Sequence, residues 1–125
     1  MNIKLTRYGD FRLTSKDGNQ CASIHHQLFR YEAFIEASPQ ALDDRGFLVD
    51  HMELDSIVKE AVRTQGGSCE QIAMRMCEAI VQHLVSKRVV AWHSVGILIT
   101  TDGRLSKLEC RFENEPRPKP DLGAR

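Results

Sequence analysis

Within nine residues, Cys21-Ala22-Ser23-Ile24-His25-His26-Gln27-Leu28-Phe29, the chain carries a thiol, a hydroxyl, two imidazoles and a carboxamide. Such groups serve two kinds of chemistry. Imidazoles and thiolates ligate metals, and a thiol beside positive charge or a metal transfers protons or acts as a nucleophile. Spacing decides which of them can cooperate. On a β-strand, side chains alternate between the two faces, so Cys21, Ser23, His25 and Gln27 share one face and His26 takes the other. The adjacent histidines therefore diverge, and a polar pocket built on Cys21, Ser23, His25 and Gln27 is the sharper expectation.

The elements that would position this cluster can be read from hydrophobic spacing. Ile3 and Leu5, then Phe11 and Leu13, predict a first strand or a hairpin bent around Tyr8-Gly9-Asp10. Residues 24–37 lack Gly and Pro, and Tyr31, Ala33 and Ile35 alternate with Arg30, Glu32, Phe34 and Glu36, which predicts a second strand. Ser38-Pro39 ends it, and Asp43-Asp44-Arg45-Gly46 is a turn. Asp50 with Glu53 has the form of a capping box opening a helix, whose apolar face is Leu54, Ile57, Val58, Ala61 and Val62. Gly66-Gly67 stops it. Ser68 with Gln71 opens a second helix, faced by Ile72, Met76, Ala79, Ile80 and Leu84. Residues 89–101 predict a third strand with Val95, Ile97 and Ile99 inward, Asp102-Gly103 a hairpin turn, and Leu108, Cys110 and Phe112 the buried face of a fourth. Pro116-Arg117-Pro118-Lys119-Pro120 cannot join a sheet ladder, so residues 114–125 are expected to be a disordered tail behind a single domain of residues 1–113. The order ββααββ implies an α+β domain, with two helices on one face of a four-stranded antiparallel sheet.

Bulk properties narrow the function classes. The 125 residues hold 17 basic and 17 acidic side chains, for zero formal charge, without long runs of one sign. Nucleic acid and anionic membrane are not the expected partners. The N-terminus has no secretory pattern, and no apolar run approaches the roughly 18 residues of a membrane span, so a cytoplasmic protein is expected. The 4 cysteines form no CxxC pair, which makes reduced thiols the expectation, with Cys77 and Cys110 in the core.

Three segments resemble the 6-pyruvoyl-tetrahydropterin synthase and 6-carboxytetrahydropterin synthase family, whose tunnelling fold has this element order. Residues 21–29 are similar to the family's Cys-x-x-x-His-Gly-His-Asn-Tyr. Leu42-Asp43-Asp44-Arg45-Gly46-Phe47-Leu48-Val49-Asp50-His51-Met52-Glu53-Leu54 is similar to Leu-Asp-x-x-Gly-x-Val-x-Asp-Phe-x-x-Leu. Ser68-Cys69-Glu70-Gln71-Ile72-Ala73 is similar to Thr-Ala-Glu-Asn-Ile-Ala. The resemblance runs from about residue 11 to 112. It implies a homo-oligomer whose sheets close into a β-barrel, sites at subunit contacts, a catalytic cysteine at Cys21 and a zinc ligand at His25.

The same comparison shows what this chain lacks. A catalytic zinc of the family takes three histidines; here Gln27 fills the second His-Gly-His slot, and a gapped match puts Ser15 at the first-strand ligand. Amide and hydroxyl hold zinc poorly. The Leu-Asp-His segment between the family's helices is missing, since Arg63-Thr64-Gln65 runs directly into Gly66-Gly67-Ser68. Thr100-Thr101 stands where a pterin-anchoring Glu-Thr is found, a change worth roughly 1.5–3 kcal/mol of charged hydrogen bonding. The resulting expectation is a pterin- or purine-like ligand bound with Ser23, Gln27, Glu70, Thr100 and Thr101, the family's zinc-dependent reaction lost, and no cofactor, with zinc at His25 the alternative. A catalytically silent oligomeric module is the competing reading. His26, His51 and His93 are read as packing or interface residues, His83 as a core histidine, and Glu70 also as a first-turn carboxylate favoured by the helix dipole.

Overall fold

The structure is a computed structural model that describes residues 1–13, 27–64, 68–101 and 107–114. Four strands, β1 (Ile3–Leu13), β2 (Gln27–Ala37), β3 (Trp92–Thr101) and β4 (Lys107–Glu113), form one antiparallel sheet in the order β1-β2-β3-β4. Two helices, α1 (His51–Thr64) and α2 (Cys69–Ser86), lie between β2 and β3 in the chain. Both pack on one face. The α+β architecture read from the sequence is therefore present.

Strand periodicity divides the sheet into two unlike faces. Toward the helices point Phe29, Tyr31, Ala33, Ile35 and Ala37 of β2 and Val95, Ile97 and Ile99 of β3, all buried. Leu54, Val58 and Ala61 of α1 and Ile72, Met76, Ile80 and Leu84 of α2 meet them from the other layer. Each of these larger side chains contributes about 1.5–3 kcal/mol by leaving water. The opposite face is a set of cross-strand rows fixed by register. Lys4, Glu36, Ser94 and Glu113 form one row; Thr6, Phe34, Gly96 and Arg111 the next; then Tyr8, Glu32, Leu98 and Glu109; and last Asp10, Arg30, Thr100 and Lys107.

Several local expectations are corrected. Of the two readings of the first segment, the single strand is the one present: β1 runs through Tyr8-Gly9-Asp10 for 11 residues, and Gly9 serves another purpose. A Cβ there would lie 2.5 Å from Cζ of Tyr31, so glycine lets the Tyr31 ring lie flat across β1. The third strand begins at Trp92 rather than at residue 89. Asn114 belongs to the domain rather than to a tail, because its backbone N–H donates to His93 O and its amide to Val90 O and Trp92 O. Residues 115–125 and the Asp102-Gly103 turn lie outside the described residues. Cys77 and Cys110 are free, the first buried and the second partly so. Cys69, by contrast, is disulfide-bonded, with its partner outside the described residues. Spacing along a chain does not reveal which thiols a fold juxtaposes.

The helix starts follow their sequence signals closely. Asp50 Oδ1 accepts from the N–H groups of Met52 at 2.8 Å and Glu53 at 3.3 Å. Glu53 does not bond back; its carboxylate lies 3.3 Å from His83 Nε2 and 3.9 Å from Lys87 Nζ, tying α1 to the end of α2. Ser68 and Gln71 complete the second box reciprocally, at 3.1 and 2.9 Å. The stop of α2 was not legible. Arg88 sits at φ 61°, and the N–H groups of Arg88 and Val89 donate to Val85 O and Leu84 O, a Schellman closure without the usual glycine.

Candidate functional site

Cys21, Ser23 and His25, with His26, lie outside the described residues. Gln27 is the first described residue after them. It opens β2 opposite Leu13, at the end of the sheet where Thr100 and Thr101 complete β3 opposite Arg30 and Phe29. Cys77, midway along α2, sits over Val95 and Cys110. Glu70 is exposed in the first turn of α2, where the helix dipole favours its charge. Gln27, Thr100 and Thr101 thus stand at one end of the sheet, whereas Glu70 belongs to the helix layer.

At that end a depression of about 420 Å³ opens on the face away from the helices, bordered by Tyr8, Asp10, Arg30, Glu32 and Thr100 and reaching Gly9 and Tyr31. Register explains the grouping. Asp10 pairs with Arg30 and Arg30 with Thr100, while Tyr8 pairs with Glu32, so two adjacent rows converge there. Thr100 is the one expected ligand residue that lines it. The others were missed because they are singly unremarkable strand residues; the available signal was the alternation of β1 and β2, which puts them all outward once the register is known.

What distinguishes this site is hydrogen-bonding capacity. Toward the other end of the same face one group of polar side chains is paired: Ser94 Oγ, 1% exposed, donates to Glu36 at 2.8 Å, and Arg111 lies 3.5–3.7 Å from Glu36, Glu109 and Glu113. Among the described residues, the side chains of Tyr8, Asp10, Arg30, Glu32 and Thr100 make no hydrogen bond or ion pair. Two carboxylates, a guanidinium, a hydroxyl and a phenol are thereby left facing one cavity, beside a Tyr8 ring that is 71% exposed. Such a set can accept from and donate to a polar heterocycle and stack on it.

The floor toward the helices is rigidly held. Arg7 of β1 makes a fork to Asp55 of α1, with Nε 3.0 Å from Oδ1 and Nη2 2.7 Å from Oδ2. This hydrogen bond with Arg7 holds the Asp55 carboxyl below its usual range and raises the Arg7 guanidinium. Burial, then the charges of Asp55 and Asp10, push the Tyr31 phenol up. Tyr31 is therefore neutral at physiological pH. The Leu42 to Leu54 motif is structural: Asp43 Oδ1 accepts from the N–H groups of Arg45 and Phe47, both at 2.9 Å, and Gly46 takes φ 88°. The Phe47 bond, above all, depresses the Asp43 carboxyl.

A larger depression, about 710 Å³, lies between α1 and α2, lined by Ile57, Ala61, Arg75, Glu78, Ala79 and His83. Its chemistry is sparser. His83 Nε2 is buried and lacks an aligned hydrogen-bond partner, despite Glu53 at 3.3 Å. Among the described residues no three His, Cys, Asp or Glu side chains cluster as metal ligands would. His51 and His93 are both exposed. No described helix is long and apolar enough to cross a membrane. The sequence matches no family model, and no curated protein matches it significantly.

Proposed function

We propose that this chain is a divergent tunnelling-fold protein, similar to 6-pyruvoyl-tetrahydropterin synthases, that binds a pterin- or purine-like heterocycle at a contact between copies of itself and has lost the family's zinc-dependent reaction. The observation that carries the reading is the cavity at Tyr8, Asp10, Arg30, Glu32 and Thr100, whose polar side chains have no hydrogen-bond or ion-pair partners among the described residues. Asp10 and Glu32 suit the amino and ring N–H edge of such a heterocycle, Arg30 suits its carbonyl, and Tyr8 suits its flat face. Each charged hydrogen bond is worth about 1.5–3 kcal/mol. Glu32 would then supply the carboxylate missing at Thr100-Thr101.

Assembly follows from the same geometry. A four-stranded meander has edge strands, β1 and β4, of opposite direction. Copies related by rotation can therefore pair β4 with β1 antiparallel and close into a barrel, which removes both edges. Residues Tyr8 and Asp10 belong to β1, so the cavity would border that junction. Loss of the reaction is supported by Gln27 and Ser15 at ligand positions and by the missing Leu-Asp-His segment.

Sedimentation should give an oligomer; a monomer at all concentrations would count against the assembly. A fluorescent pterin should bind saturably, and Glu32→Gln should weaken it about tenfold or more, the equivalent of one charged hydrogen bond. Absence of binding would leave the silent-module reading. Stoichiometric zinc in protein purified without added metal would overturn the claim that the metal site is degenerate.

A further inference from the structure

Cys77 and Cys110 are the free cysteines among the described residues. One comes from the middle of α2 and the other from β4, and the fold lays them together. Cys77 Sγ donates toward the carbonyl oxygens of Cys110 at 3.5 Å and Val95 at 3.7 Å, which sets the two cysteines side by side. Their surroundings differ. Cys77 is 2% exposed, in the core between helix and sheet, whereas Cys110 is partly exposed on an edge strand. Neither thiol touches the cavity assigned to ligand.

Two cysteines held side by side on separate elements are a candidate dithiol, and their unequal access divides the roles. The geometry points to a redox-modifiable pair, in which a low-molecular-weight disulfide reacts at Cys110 and Cys77 then closes a bridge between β4 and α2. In the first step Cys110 loses its proton and its sulfur attacks one sulfur of the small disulfide. That S–S bond breaks, a mixed disulfide forms on Cys110, and the departing thiolate takes up a proton. In the second step Cys77 loses its proton and attacks Cys110 Sγ, expelling the other small thiol. Two protein thiols are oxidised and one small disulfide is reduced to two thiols. Burial, then the neighbouring Cys110, pushes the Cys77 thiol up to about 12, so closure is the slow step. The sulfurs must approach to about 2.05 Å, which draws the edge strand onto the helix. The bridge would fix β4, which is an edge strand within the single chain.

The test uses the full chain incubated with oxidised glutathione, then acid quench, alkylation, trypsin and mass spectrometry. The expected sequence is a glutathione adduct on the peptide of residues 108–111, followed by a link between that peptide and residues 76–87. In Cys77→Ala the adduct should persist, and in Cys110→Ala residues 76–87 should stay unmodified. Closure from the isolated adduct should speed up about tenfold per pH unit between roughly pH 7 and 9, as the thiolate fraction of so weak an acid does. An adduct appearing first on residues 76–87, a bridge to a different cysteine, or two thiols that react only in urea would each overturn the assignment.

Discussion

Gly96→Ala tests whether the polar face of the sheet is a built surface or a solvated one. Phe34 points away from the helices and yet is only 6% exposed, because its ring lies across Gly96, its register partner on β3. A Cβ at 96 would overlap Cζ and Cε2 of Phe34 and stand 2.9 Å from Cε1. The backbone cannot retreat, since Gly96 is laddered to β2 on one side and to Arg111 of β4 on the other. The ring must therefore move, leaving the cations that flank it, Lys4 Nζ at 4.5 Å and Arg111 at 5.1 Å from its centroid. Strain from such overpacking costs about 1–3 kcal/mol. Swinging half the ring into water instead, ~100 Å², costs about 2.5 kcal/mol. Replacing a strand glycine returns about 0.5–1 kcal/mol. The net expectation is a loss of about 1–2 kcal/mol in urea unfolding at fixed protein concentration. In a Phe34→Ala background the same substitution should be neutral or stabilising, giving a coupling of about 2 kcal/mol. Additivity within about 0.5 kcal/mol would refute the argument, because it would mean that the ring does not occupy the space over Gly96.

Arg88→Gly should stabilise the chain by about 0.5–1 kcal/mol in thermal unfolding, since the Schellman closure holds residue 88 at φ 61°. Ser68→Ala should cost about 1 kcal/mol by opening the capping box of α2, and restoring the bond with Asp at 68 should recover most of it. The Arg7 pairing lowers the Asp55 carboxyl from 3.8, so its contribution is fully present above that value and is lost as pH falls through the depressed folded value. Comparing wild type with Asp55→Asn by unfolding across pH, the stability difference should be constant near neutrality and shrink below about pH 4; a difference that persists in acid would show that the ionised pair is not its source.

The elements were legible because they depend on local chemistry. Capping by Asp50 and by Ser68 with Gln71, and the periodic faces of both helices, need only neighbours within a turn. The misread places each depended on a distant partner. Gly9 left a strand and a bent hairpin both open because glycine often marks a bend, whereas it makes room for Tyr31 across the sheet. Glu53 looked like the second half of a box, but His83 and Lys87 lie closer to hand once α2 has folded back. Of the residues lining the candidate cavity, Thr100 is the one that the motif alignment named, while Tyr8, Asp10, Arg30 and Glu32 carry no motif at all.

By itself, then, the sequence determined strand and helix identity, their order, the layered arrangement and most of the buried faces, because burying periodic apolar stripes leaves few alternatives; Phe112, expected on the buried face of β4, is 45% exposed. Only the tertiary structure decided which outward residues stand side by side. Register sets the Asp10–Arg30–Thr100 row, and docking of α2 on the sheet brings Cys77 to Cys110. Both join residues far apart in the chain, and that separation is why no local pattern announced them.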